Sequence, residues 1–236
     1  MTTVLMLDGT WSRKGARSPV AEALRELLPT RTRFQYVDYP ATFGPATGVG
    51  DIAYAESVMQ GVHATADAVR AVGGRVILAG YSQGAAVAVA YARLARSGSI
   101  AGVAALGNPH QPLHAGRSGI AGAIEDLSCP LWSLYAPGDP IADLPLGSPL
   151  RSLADLGDWM SIRDVEAGRR WAAEMAADIT NLRRMQQWWR DPIAWTGLLS
   201  AVRYATNYFP GTKHTTDYIR LGLVARLADL IEGVAA

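Results

Sequence analysis

Short apolar runs alternate along this chain with longer amphipathic stretches. Val4 to Leu7 is the first run, and it stops at Asp8-Gly9-Thr10-Trp11. Pro19 to Leu28 reads as a helix and Phe34 to Tyr39 as a second strand, followed by the Gly/Pro/Thr-rich loop PATFGPATGVG. Residues 51–71 predict a helix with Ile52, Ala55, Met59, Val62, Ala66 and Val69 on one face. Val76 to Ala79 lies between Gly74 and Gly80 and predicts a strand buried on both faces. Ala85 to Ala95 has the composition of a helix packed on a sheet. Val103 to Leu106 and Leu131 to Ala136 are two further strands, ending at GNPHQP and PGDP.

Strands that alternate with helices specify an α/β fold with a mostly parallel sheet covered on both faces. Ligands of such sheets sit beyond the carboxyl ends of the strands. The loops DGTW, YSQG, GNPH and PGDP are therefore expected on one rim.

Residues 150–210 break the alternation. Five of the seven tryptophans fall there: Trp159, Trp171, Trp188, Trp189 and Trp195. Trp171, Met175, Ile179, Leu182, Met185 and Trp189 recur at helical spacing, and Asp191-Pro192 suits the start of another helix. The expectation is one α/β domain over 1–236 carrying a helical insertion at 150–210. The aromatic stripe serves either as the core of that insertion or as a wall for lipid.

A chain of 236 residues, 49% of them apolar, can bury a large single core. With 22 basic and 21 acidic residues and no basic run, it does not read as a nucleic-acid binder. Cys129 is the single cysteine, so no intrachain disulfide forms; it reads as a small hydrophobe beside a strand. The first residues lack the basic start of a signal peptide. No apolar stretch approaches the roughly 20 residues of a membrane span. If the protein acts outside the cytoplasm in which it is made, something other than a signal peptide must release it, and a monomer is expected.

Candidate chemistry concentrates at Gly80-Tyr81-Ser82-Gln83-Gly84. This G-x-S-x-G follows an apolar strand and precedes an Ala-rich helix, the context in which a serine is presented as a nucleophile on a strained turn. The following helix points its N-terminus at that serine. A serine hydroxyl needs a base, and the base needs a carboxylate. Of four histidines, His63 precedes the serine, and His110 and His114 precede the next strand-end acid. His214, just before the last helix, is the candidate base. Asp139 and Asp143 in PGDPIAD are the candidate acids, with Asp139 preferred because it directly follows the strand. Both also suit ordinary turn chemistry. The candidate oxyanion donors are the Gln83 N–H and Thr10, by its N–H and hydroxyl; Thr10 also fits a plain Asp-Gly turn. Trp11, His110 and Trp188 are candidate substrate contacts. No metal motif, phosphate loop or cofactor signature occurs.

GYSQGA at 80–85, GDP at 138–140 and the late His214 resemble the cutinase-like serine esterases. GNPHQP and the long segment between acid and histidine are similar to the phage lysin B branch, the mycolylarabinogalactan esterases. Ala142 stands where a cutinase has a cysteine. The resemblance implies a Ser82-Asp139-His214 triad and no cofactor. It further implies cleavage of the ester between mycolic acids and arabinogalactan during host lysis; the alternative is a general lipolytic esterase or acyltransferase acting on other long-chain lipid esters.

Overall fold

Strand β1 (Thr2–Leu7) is buried along its whole length, which only a central strand covered on both faces can be. This computed structural model describes residues 2–12, 16–151 and 212–235, together with positions 158, 166, 169 and 173. Helix α1 (Pro19–Leu27) follows, then β2 (Arg33–Tyr36), α2 (Tyr54–Val72), β3 (Arg75–Tyr81), α3 (Gln83–Leu94) and β4 (Gly102–Leu106). Next come β5 (Arg117–Ser118), β6 (Leu131–Leu134) and β7 (Leu144–Pro145), and finally α4 (Asp217–Arg220) and α5 (Leu223–Ala235).

Five strands form a parallel sheet in the order β2-β1-β3-β4-β6. Thr2 to Leu7 pair in register with Arg75 to Gly80, which sets the ends of β1 and β3 side by side. Side chains alternate between faces. Val4, Met6, Ile77, Ala79 and Leu106 face α1 and α5, against Val20, Leu24, Val224, Leu227 and Ile231. Leu5, Leu7, Leu78, Val103 and Ala105 face α2 and α3, against Val87, Ala88 and Ala92. Each buried aliphatic side chain contributes roughly 1.5–3 kcal/mol. The doubly covered parallel sheet expected from the alternation is present.

Two details differ from the pattern. The second strand ends at Tyr36 rather than Tyr39. Past it the chain is held by Val37 N–H to the Met6 carbonyl and by the Arg17–Asp38 ion pair. Helix α2 does not seat the expected face: Met59 is 49% exposed, and the seam is Ser57, Gly61 and Thr65. A methyl group on Gly61 would stand 2.8 Å from a Val87 methyl carbon, so α2 lies too close to α3 for larger residues. Small side chains decide the contact there, and Val58, Val62 and Val69 pack only along its flanks.

An antiparallel ladder of β5 and β7 pairs Arg117 with Pro145 and Ser118 with Leu144. The hydrophobic pattern gives no sign of it, since two-residue strands carry no periodicity. It ties the segment after β4 to the segment after β6. The insertion expected over 150–210, including Trp188 and the tryptophan stripe, lies almost wholly outside the described residues. No helix among the described residues is long and apolar enough to cross a membrane. No group of three or more His, Cys, Asp or Glu side chains among them is arranged to hold a metal.

Candidate active site

Strand β3 hands over to α3 within one residue, and that residue is Ser82, with φ 55° and ψ −122°. A non-glycine residue at positive φ is strained and is held there only by its surroundings. Two glycines make the turn feasible. A methyl group on Gly80 would stand 2.5 Å from Ala85 Cα, and one on Gly84 would stand 2.0 Å from the Leu7 carbonyl oxygen. The Ser82 N–H donates to the Leu106 carbonyl at 2.9 Å, pinning the turn to β4.

His214 arrives from the other end of the chain, three residues before the start of the short helix α4. Its Nε2 lies 2.8 Å from Ser82 Oγ. Its Nδ1 lies 2.9 Å from both carboxylate oxygens of Asp139. A carboxylate only accepts, so the Nδ1–H donates to Asp139 and Nε2 is left to accept from the Ser82 hydroxyl. Asp139 is fully buried and His214 nearly so, at 4% exposure, so the pair sits out of water. The geometry gives Ser82 a base within hydrogen-bond reach and gives that base an anion that fixes its tautomer.

The rest of the setting was not apparent from the motif. The Tyr81 ring stacks on His214 with centroids 5.5 Å apart, and its hydroxyl donates to the His214 carbonyl. Gly107, at φ 60°, also packs against His214: a methyl group there would meet His214 Cε1 at 2.8 Å and the Tyr218 hydroxyl at 3.3 Å. The signals were visible only as letters: the tyrosine inside G-x-S-x-G, and the glycine of GNP.

Asp143 is also buried and close, but it does not touch His214. One of its oxygens accepts from Arg117 Nε at 2.5 Å and faces His114 Nε2 at 3.0 Å; the other accepts the Gly138 N–H at 2.7 Å. Burial pushes this carboxyl up, but the bonds from Arg117, Gly138 and His114 outweigh it and hold Asp143 below the ordinary carboxylate value. Its N–H donates to the Asp139 carbonyl at 2.8 Å. Asp143 thus braces the turn that carries Asp139.

Of the candidate oxyanion donors, the Gln83 N–H is the first of α3, where a helix leaves its own amides without intrahelical acceptors. The Gln83 side chain is buried and donates from Nε2 to the Thr42 carbonyl at 2.8 Å. The β1 loop abuts Ser82: a methyl group on Gly9 would lie 3.1 Å from Ser82 Cβ. Thr10 and Trp11 are the central residues of a turn closed by Ser12 N–H to the Gly9 carbonyl at 3.1 Å. The Asp8 carboxylate holds this turn, accepting the Gly9 N–H at 2.8 Å and the Ser18 N–H at 2.7 Å. Trp11 is half exposed with φ 69°, and its N–H donates to Ala41, itself at φ 52°.

His110 is placed differently. Its Nδ1 faces the Gly122 carbonyl at 3.2 Å, and burial holds its imidazole below the usual value, so the ring stays neutral. No described contact joins it to Ser82, His214 or Asp139. Trp188 lies outside the described residues.

The model of the PE-PPE domain matches residues 29–138, just under half of the chain, a span that includes Ser82 and stops one residue before Asp139. No curated protein matches. Among solved structures, the catalytic core domain of acetyl xylan esterase from Trichoderma reesei is similar over 75% of this chain and 97% of its own, with 19% identity and a TM-score of 0.51. Lysin B from a mycobacteriophage is similar over 77% of this chain and 88% of its own, with 17% identity and a TM-score of 0.48. A cutinase-like protein from Cryptococcus sp. covers 78% and 96%, with 17% identity and a TM-score of 0.40. Identities this low bear on the fold alone: the parallel sheet covered by helices on both faces is shared with the esterase core domain.

Proposed function

We propose that the protein is a serine esterase of lipid esters. The observation that carries this reading is the continuous line from Ser82 Oγ through His214 to Asp139, with hydrogen-bond distances of 2.8 and 2.9 Å. His214 Nε2 takes the Ser82 proton as Oγ attacks the ester carbonyl carbon. The carbonyl oxygen becomes an oxyanion facing the Gln83 N–H and the Thr10 turn, where each donor lowers the barrier by about 3 kcal/mol. The tetrahedral intermediate collapses as His214 returns the proton to the leaving alkoxide, and an acyl group remains on Ser82. Water then attacks the acyl-enzyme with His214 again as base, releasing the carboxylic acid. Asp139 stays ionised throughout and stabilises the imidazolium.

For the substrate, the proposal is the ester between mycolic acids and arabinogalactan, cleaved in the cell envelope after the protein leaves the cell that makes it, in support of phage-induced lysis. GNPHQP at 107–112 and the long segment between Asp139 and His214 support this branch.

The test is hydrolysis of p-nitrophenyl butyrate and of purified mycolyl-arabinogalactan by the protein and by Ser82→Ala. Release of free mycolic acid by the parent alone supports the full reading. Cleavage of the small ester alone keeps the mechanism and assigns the protein to general lipolysis or, if transfer products form, to acyl transfer. Turnover that survives in Ser82→Ala overturns the mechanism.

A further inference from the structure

Tyr218 lies four residues beyond His214 and is completely buried, with its ring in the core formed by Tyr81, Leu106, Val224 and Leu227. A phenol placed there only for packing would have its oxygen at the core's edge, toward water. Instead the hydroxyl lies 2.5 Å from Asp139 Oδ2. Burial and the adjacent Asp139 charge push this phenol well above its ordinary value, so the proton stays on Tyr218 and is donated to the carboxylate.

The Asp139 carboxylate is therefore divided between several donors. Oδ1 accepts the Ile141 N–H at 2.8 Å, Oδ2 accepts the Tyr218 hydroxyl, and the His214 Nδ1–H spans both at 2.9 Å. Without Tyr218, Oδ2 would face only the imidazole in a site closed to water. Its charge would then bear more fully on His214 and hold the imidazolium more tightly. The carboxylate would also lose one of the bonds that fix its plane.

We infer that Tyr218 is a positioning residue for the reaction proposed above: its hydroxyl orients Asp139 and tempers how strongly that carboxylate holds a proton on His214. The inference rests on the esterase reading for its kinetic consequences, but its electrostatic consequence at His214 does not depend on turnover. Among the described residues, the titratable groups in contact with His214 include Asp139, Tyr81 and Tyr218, and the Lys213–Asp217 ion pair at 2.9 Å lies nearby in the chain. Tyr218→Phe alters only one of them.

The experiment compares the parent with Tyr218→Phe in two ways: the pH profile of p-nitrophenyl butyrate hydrolysis, and the pH titration of the His214 ring followed by NMR. In Tyr218→Phe the acid limb and the His214 midpoint are both expected to move up by about 0.5–1 pH unit, because an anion that has lost a donor attracts the imidazolium more. The accompanying fall in kcat is about tenfold with KM within about twofold, the pattern of a group that acts through orientation. A parent protein without esterase activity would overturn the function, yet the NMR midpoint would still decide the role of Tyr218. An unchanged limb and midpoint in a variant that merely melts earlier would reduce Tyr218 to packing. Should Tyr218→Phe fail to fold, 3-fluorotyrosine at position 218 strengthens the donor and must shift the midpoint down; no shift, or a shift up, overturns the inference.

Discussion

Gly107 lies close against the His214 ring: a methyl group added there would stand 2.8 Å from Cε1, closer than non-bonded carbons pack. The position also has φ 60°, which side chains other than glycine resist. Gly107→Ala is expected to shift the imidazole by a few tenths of an ångström away from Ser82 and to lower kcat roughly 10- to 100-fold, since attack depends steeply on alignment. The strained backbone costs about 1 kcal/mol of stability. Steady-state kinetics and a thermal melt of the same preparation check both; full activity would mean that His214 is not held in this position during turnover.

Ser82 is held at φ 55°, so the proposed nucleophile itself carries backbone strain. Ser82→Ala keeps that strain and removes the hydroxyl; Ser82→Gly removes both. Both variants should lose at least about four orders of magnitude in kcat. In denaturant unfolding, Ser82→Gly should exceed Ser82→Ala in stability by about 1–2 kcal/mol. Equal stabilities would show that the turn is not strained.

Asp139 and Asp143 are separable by function. Asp139→Asn should leave His214 in the wrong tautomer and cost about 10⁴-fold in kcat, whereas Asp143→Asn should cost less than about tenfold. If Asp143→Asn proves the more damaging, the roles of the two carboxylates are reversed.

Asp143 should reveal itself in stability instead. Its carboxyl is held below the ordinary value in the folded protein, so its stabilisation is fully present above the unfolded value near 4 and is lost as the pH falls through the lower folded value. Asp143→Asn is expected to cost about 1–3 kcal/mol at pH 7, and the gap to the parent should close in acid, below about pH 4. Melting curves across that range decide it; a gap that widens in acid contradicts the assignment.

Arg151 ties three pieces of chain together from a buried position. Nε donates to the Pro145 carbonyl at 3.1 Å, Nη1 to Gly119 at 2.5 Å, and Nη2 to Leu144 at 2.8 Å and Ser118 Oγ at 3.0 Å. A lysine cannot reproduce that fork. Arg151→Lys should therefore destabilise by about 2–4 kcal/mol and loosen the β5–β7 ladder, read as faster amide exchange at Ser118 and Leu144.

The amino-acid sequence by itself determined the order of strands and helices, because a parallel sheet covered on both faces requires apolar runs of strand length separated by helices. Gly80 and Gly84 around Ser82, directly after the apolar run Val76 to Ala79, specified the turn, since a turn that tight leaves no room for side chains. Chain order singled out His214, and closeness to the end of the preceding strand ranked Asp139 above Asp143. Tertiary structure alone decided what lies beside these residues. The α2 seam went to Ser57, Gly61 and Thr65 over Met59 because helix separation, not hydrophobicity, governed that contact. The β5–β7 ladder, the Arg117–Asp143 clamp, the Tyr81 stack and the Tyr218 bond to Asp139 join residues up to 133 positions apart. Such contacts depend on the closure of the whole sheet, and no local pattern of apolar and polar letters encodes them.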